Sequence, residues 1–233
     1  MSEIQERLHE IQERMAEAAK RSGRRAQDVE LIAVSKTIEV ERINEAITCG
    51  VTRIGENKVQ ELMGKLPLLA PCERHFIGSL QANKVKFLIG EIALLHSLCS
   101  ESTRDMLEKR GAAANWVCPV LIQVHIGDET SKAGIAPEQL EAFAESVLMQ
   151  EHLALRGLMC IPPPAVGDEV RRYFGQLREC LEALKTAFPE KKEALRELSM
   201  GMSHDFEEAI EEGATLVRVG SHLFGERVYQ TKK

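Results

Sequence analysis

Aromatic side chains are scarce in this sequence, 4% of 233 residues. A surface that stacks nucleobases on rings needs more of them. Positive charge is not in excess either. Thirty Lys and Arg face 36 Asp and Glu, a formal net charge of −6, and a surface of that balance repels phosphate backbones. Nucleic acid is therefore not an expected partner. No run of about 18 apolar residues occurs, so no helical membrane span is expected. The opening residues, Met1 to Arg7, lack an apolar stretch behind a positive patch; no secretory signal is expected, and a cytoplasmic location is. The six cysteines (Cys49, Cys72, Cys99, Cys118, Cys160 and Cys180) form no C-x-x-C, and no histidine pair sits at zinc-finger spacing. They read as scattered reduced thiols, and neither a disulfide framework nor a metal site is expected. Also missing are G-x-G-x-x-G, a P-loop and a G-x-S-x-G elbow, which removes support for dinucleotide, ATP and hydrolase folds. Ser203-His204-Asp205 spells the letters of a hydrolase triad, but triad members meet in space and not as chain neighbours.

What is present is a core and a rhythm. Hydrophobic residues are 44% of the chain, enough to bury an interior. Ile4, Leu8, Ile11 and Met15 recur at helical spacing, predicting an amphipathic helix within residues 1–28 that lies on the rest of the domain. It ends in Lys20-Arg21-Ser22-Gly23-Arg24-Arg25, which reads as helix C-capping and not as a targeting patch. Beyond Asp28, short apolar runs alternate with longer amphipathic ones. Strands are expected at Leu31–Ser35, Val51–Ile54, His75–Ile77, Ile92–His96, Val117–Val124, Ala154–Met159, Glu197–Ser199 and Leu216–Val219. Helices are expected at Glu39–Cys49, Lys58–Leu66, Asn83–Leu88, Ser102–Ala113, Pro137–Gln150, Val170–Ala187 and Phe206–Glu212, with a short one after Ser221. Asp205 and Glu208 match a capping box, Pro137 a first helical position, and Gly50 and Gly213 helix stops. Eight strand–helix units at about 26 residues each predict an α/β fold, a single (β/α)₈ TIM barrel with an extra N-terminal helix, spanning residues 1–233 as one domain. An open doubly wound sheet usually carries a glycine-rich turn after its first strand; here Ser35-Lys36-Thr37 follows instead.

A barrel of this kind works with the C-terminal ends of its strands. Lys36 ends the first strand, with its stem in the barrel mouth. Desolvation lowers a lysine pKa and frees the lone pair that carbonyl attack needs; the plain alternative is an amine snorkelling to solvent. The loops after strands seven and eight, where such barrels bind phosphate, hold Ser199–Ser203 and Arg218-Val219-Gly220-Ser221. Gly220 permits close backbone approach, Ser203 and Ser221 offer hydroxyls, and Arg218 offers a cation. An amine facing a phosphate cup points to a phosphorylated aldehyde. Asn57 and His75 are weaker candidates for the pocket lining, and Lys132, in the loop after strand five, reads as a solvated charge.

Five motifs, in order along the chain, carry a resemblance. They are Ala33–Thr37, Gly55–Glu61, His75–Lys84, Ser199–Asp205 and Arg218–Gly225. Together they resemble the pyridoxal phosphate homeostasis proteins, single-barrel relatives of the alanine racemase N-terminal domain. The resemblance implies pyridoxal 5′-phosphate held as a Schiff base on Lys36. It further implies Ser203, Gly220 and Ser221 on the phosphate, Arg218 at the pyridine nitrogen and Asn57 beside the ring. An arginine at that nitrogen keeps its proton and leaves the ring a weaker electron sink.

Racemisation needs a second acid–base group opposite the lysine, which alanine racemase takes from a tyrosine of a second domain. No such domain is expected from this sequence, and its tyrosines, Tyr173 and Tyr229, lie outside the matched motifs. The expectation is a cofactor-binding protein with little or no turnover, a monomer that buffers pyridoxal phosphate and passes it to apoenzymes. An amino-acid racemase-like enzyme and a cofactor-free Schiff-base aldolase are the competing readings.

Overall fold

A computed structural model describes residues 2–127 and 133–225. Helix α1 (Glu3–Arg21) starts where the Ser2 hydroxyl accepts the amide of Gln5, and it buries Ile4, Leu8, Ile11, Met15, Ala18 and Ala19 along one face. Each large aliphatic side chain so buried is worth about 1.5–3 kcal/mol. The basic run at its end does more than cap. Arg24 donates to the carbonyl oxygens of Ile210 and Ala214, and Arg21 pairs with Glu207 and Glu211. The helix is thereby tied to an element nearly 190 residues further along the chain.

The repeating part follows the expected order. Strands β1 (Glu30–Val34), β2 (Arg53–Glu56), β3 (Glu73–Phe76), β4 (Leu94–Leu98), β5 (Cys118–Gln123), β6 (Leu153–Met159), β7 (Glu197–Ser199) and β8 (Leu216–Val219) alternate with helices. These are α2 (Val40–Thr48), α3 (Val59–Lys65), α4 (Glu101–Ala114), α5 (Leu140–Leu148), α6 (Asp168–Ala187), α7 (Phe206–Glu211) and α8 (Ser221–Phe224). All pairings are parallel, and β8 returns to β1 in the register Ile32 opposite Arg218, closing an eight-stranded TIM barrel. Buried apolar residues on the helices pack against the outer faces of the strands, while Ile32, Leu94, Leu121, Met159 and Leu216 form a small separate cluster inside the ring.

Two local expectations change. Residues Ala82–Phe87 form a 3₁₀ helix instead of an α-helix, a common form for a short connector. Asp205 precedes α7 but makes no capping hydrogen bond there. Its carboxylate accepts the amide of Met202 instead, at 2.6 Å, so it braces the loop after β7. Gly50 and Gly213 do stop α2 and α7, with φ of +113° and +107°. Lys132 and Tyr229 lie outside the described residues.

Candidate functional site

The C-terminal ends of the strands enclose a cavity of about 620 Å³, and Lys36, Asn57, Ser203, Arg218, Gly220 and Ser221 all line it. Val34 and Ile77 give it apolar wall, with Ile161 and Met202, exposed apolar residues, on the later loops. None of its lining residues among those described is Asp or Glu. Two cations, Lys36 and Arg218, line the space.

Because β8 pairs with β1, the loop that follows Lys36's strand neighbour offers a set of short-range donors. The Gly220 amide donates to Ser203 Oγ at 3.3 Å. Helix α8 starts at Ser221, and first-turn amides have no acceptor inside their own helix. Gly201 turns the β7 loop at φ +87°, and a side chain there would bring a Cβ within 2.5 Å of the Ala209 Cβ. On the ring side, Asn57 Oδ1 is buried with no hydrogen-bond partner among the described residues. Gly78 is what seats it, since an added Cβ would lie 2.1 Å from the Asn57 carbonyl oxygen.

These residues fit pyridoxal phosphate on their own chemistry. An amine suits an aldehyde, and hydroxyls, amides and a buried guanidinium suit a phosphorylated ring. The orphaned Asn57 oxygen needs a donor from something bound.

Arg218 is 4% exposed and its guanidinium donates to Ser199 Oγ at 2.7 Å and to the Cys160 carbonyl at 2.9 Å. Burial lowers its pKa from the ordinary arginine value. The contacts continue inward. Ser199 Oγ lies 2.8 Å from His96 Nδ1, and His96 Nε2 lies 2.8 Å from His75 Nδ1. An arginine can only donate. When the Ser199 hydroxyl, which accepts from Arg218, passes its own hydrogen to His96 Nδ1, the proton of both imidazoles sits on Nε2 and only the last one, on His75, lacks an acceptor among the described residues. His75 Nε2 then points toward Glu73, at 3.8 Å, too long for a hydrogen bond. Burial pushes the His75 pKa down to about 4 and that of His96 well below its usual value, the latter aided by His75 and Arg218. His75, expected at the pocket lining, is instead the inner end of this chain.

Sequence reasoning passed over a second network. Lys65, at the end of α3 and buried, donates at 2.7–2.8 Å to Glu56, to Glu61 and to the Ser35 carbonyl. Only the Glu61–Lys65 spacing of four hinted at it. Tyr173 is buried in α6, its hydroxyl 3.3 Å from Glu169, and it does not line the cavity.

Comparison with known proteins agrees with this geometry. The family model for the alanine racemase N-terminal domain matches residues 7–228. The pyridoxal phosphate homeostasis protein of Aquifex aeolicus is 46% identical over 227 residues, 96% of this chain and 98% of the relative. The structure of PipY from Synechococcus elongatus with PLP bound superposes with a TM-score of 0.81 at 33% identity, covering 96% of this chain and all of that one. Without PLP the same protein gives a TM-score of 0.85. Matched over nearly its whole described length, the chain belongs to the alanine racemase N-terminal domain family and, within it, to the pyridoxal phosphate homeostasis proteins.

Proposed function

We propose that the protein binds pyridoxal 5′-phosphate and serves its homeostasis by holding the cofactor, buffering it and handing it to apoenzymes, with Lys36 as covalent anchor. The observation that carries this reading is one cavity with a lysine on one wall and the Ser203, Gly220 and Ser221 cradle on another. Bound there, pyridoxal phosphate supplies an aldehyde carbon that condenses with a lysine amine, forming a C=N bond and releasing one water made of the aldehyde oxygen and two amine protons.

The residues divide the remaining work. Ser203 and Ser221 donate hydroxyls to the phosphate, and the Ser221 and His222 amides at the start of α8 add donors that need no reorganisation. Arg218 donates to the pyridine nitrogen without surrendering a proton. That leaves the ring nitrogen unprotonated and disfavours carbanion chemistry. Asn57 Oδ1 accepts from the ring side. Val34 and Ile77 exclude water from one flank of the cavity.

Release without turnover follows from what faces the lysine. Proton transfer at a substrate carbon needs a second group within hydrogen-bond reach. No Tyr, Asp, Glu or Cys is found among the described lining residues. Among the described lining residues His204 is the one histidine, and it is exposed. Of those residues it is the one that favours the racemase-like alternative.

The test is an absorption spectrum of the purified protein with added pyridoxal phosphate. The unaltered protein is expected to develop the band of a lysine adduct and Lys36→Ala to lack it, while both hold the phosphate wall intact. Equal spectra for the two would defeat the reading. For turnover, amino acids in deuterated buffer are expected to keep their α-protons; exchange that disappears in His204→Gln would establish the enzyme instead.

A further inference from the structure

Lys36 sits between two residues that are gripped from below. Ser35 donates its hydroxyl to Glu56 at 2.7 Å, and its carbonyl accepts from Lys65 at 2.8 Å. Thr37, on the other side, donates its amide to Glu61, and the same Glu61 oxygen accepts from Lys65 at 2.7 Å. All three protons of the Lys65 ammonium are thus used, on two carboxylates and one carbonyl. Glu56 is wholly buried, and Lys65 nearly so. None of the three charged residues lines the cavity.

The turn they grip is strained. Thr37 has φ +65°, the left-handed region, which a β-branched residue avoids at a cost of roughly 1–3 kcal/mol. Such a conformation persists only where its surroundings over-determine it. Here the surroundings are the Glu61 carboxylate on the Thr37 amide and the Lys65 charge that holds Glu61 in place. The turn decides where the Lys36 stem leaves the backbone, and a condensing amine must meet its carbonyl at a defined angle and distance.

We propose that Lys65, Glu61 and Glu56 form a clamp on the backbone flanking Lys36 and act as positioning residues for covalent capture of the cofactor, with no part in holding its phosphate. The proposal rests on the reading of Lys36 as anchor. It separates two steps, docking in the cradle and condensation at the lysine, and assigns the clamp to the second alone. Lys65 itself is no alternative anchor, since its donors are saturated and it faces away from the cavity.

The experiment compares two ligands. Pyridoxine 5′-phosphate has the ring and phosphate but an alcohol in place of the aldehyde, so it reports docking; pyridoxal 5′-phosphate, followed by stopped-flow absorbance across pH, reports capture. Lys65→Met and Glu61→Ala are expected to bind pyridoxine 5′-phosphate within about twofold of the unaltered protein. Both should slow capture about tenfold or more, by the same factor at each pH, as misplacement of an unchanged amine requires. Glu61→Ala, at a half-buried site, keeps the test open if Lys65→Met does not fold. Unaltered capture in the variants would overturn the clamp, as would a loss that merely tracks pyridoxine 5′-phosphate affinity or a shift of the pH midpoint. An unaltered protein that shows no adduct band at all would instead defeat the anchor reading, and the clamp with it.

Discussion

Behind Lys36 a buried lysine meets two carboxylates; behind the cradle a buried arginine meets a hydroxyl, a carbonyl and, through the hydroxyl, two neutral imidazoles. The first network offsets its ammonium internally with two carboxylates, and its hydrogen bonds go to the backbone, to the Ser35 hydroxyl or to each other. The second leaves a guanidinium in a dry site with uncharged hydrogen-bond partners. A compensated network can hold geometry whether or not a ligand is present. An uncompensated cation is costly until something electron-rich arrives. Anchor side and cradle side thus differ in kind: one is set in advance, the other is completed by what binds.

Breaking each network in turn sharpens the contrast. Lys65→Met strands Glu56 and Glu61 and is expected to lower the stability of the ligand-free protein by about 3–5 kcal/mol. Arg218→Met removes a buried charge that makes no salt bridge among the described residues, and should change that stability by less than about 1 kcal/mol. Urea denaturation of both variants measures the difference, and equal losses would erase the distinction.

The two networks also respond to acid with opposite sign. His75 has a folded pKa of about 4 against an ordinary 6.5, so the unfolded chain binds the proton first. Its contribution is whole above pH 6.5 and is lost as pH falls toward 4; between pH 7 and 5 that amounts to about 2 kcal/mol. His96 adds in the same direction. The groups facing this pair are Glu73 and Arg53 at one end and Arg218 at the other. Glu56 runs the other way, because burial raises its pKa; its share is whole below the ordinary 4.5 and is lost as pH rises. Replacing His75 with Phe should flatten the decline between pH 7 and 5, as read by urea midpoints at each pH. A slope unchanged by that replacement would place the acid sensitivity elsewhere.

Smaller effects probe the links. Ser199→Ala cuts Arg218 from His96 and should weaken cofactor binding by about 1 kcal/mol, or roughly fivefold, with the Lys36 adduct still forming. Thr37→Gly relieves the left-handed turn but frees the unfolded chain, so stability should move by no more than about 0.5 kcal/mol. A loss above 2 kcal/mol would mean that the threonine side chain, and not the clamp, holds the turn.

How far this was legible from residues alone follows the same division. Most of the eight strands were readable as short β-branched or apolar runs between amphipathic segments, although β3 itself is Glu-Arg-His-Phe, and the cavity residues because strand-end loops of a barrel converge. Asn57 needed the family motifs to stand out among ordinary loop polar residues, whereas Ser203 came with the loop after β7. His75 was misplaced because alternation along β3 says only that it faces inward, not how deep. The Lys65 clamp was invisible in its main feature: Glu61 and Lys65 look like any exposed helix pair, and nothing in one sequence says that their partner is the backbone around Lys36. Asp205 misled for a related reason. An aspartate ahead of a helix fits a cap, but the Met202 amide lay closer.

The pairing of β1 with β8 sets an order of events during synthesis. Lys36 is made early, while Ser203, Gly220 and Ser221 emerge more than 160 residues later, and only ring closure brings them within reach of one small molecule. On the proposed reading, a chain still on the ribosome therefore carries the anchoring lysine but no anion grip beside it. Closure of so long a loop is slow and comes late in folding, so cofactor capture reports on completion of the barrel itself, and holding the vitamin becomes a certificate that the protein has finished folding.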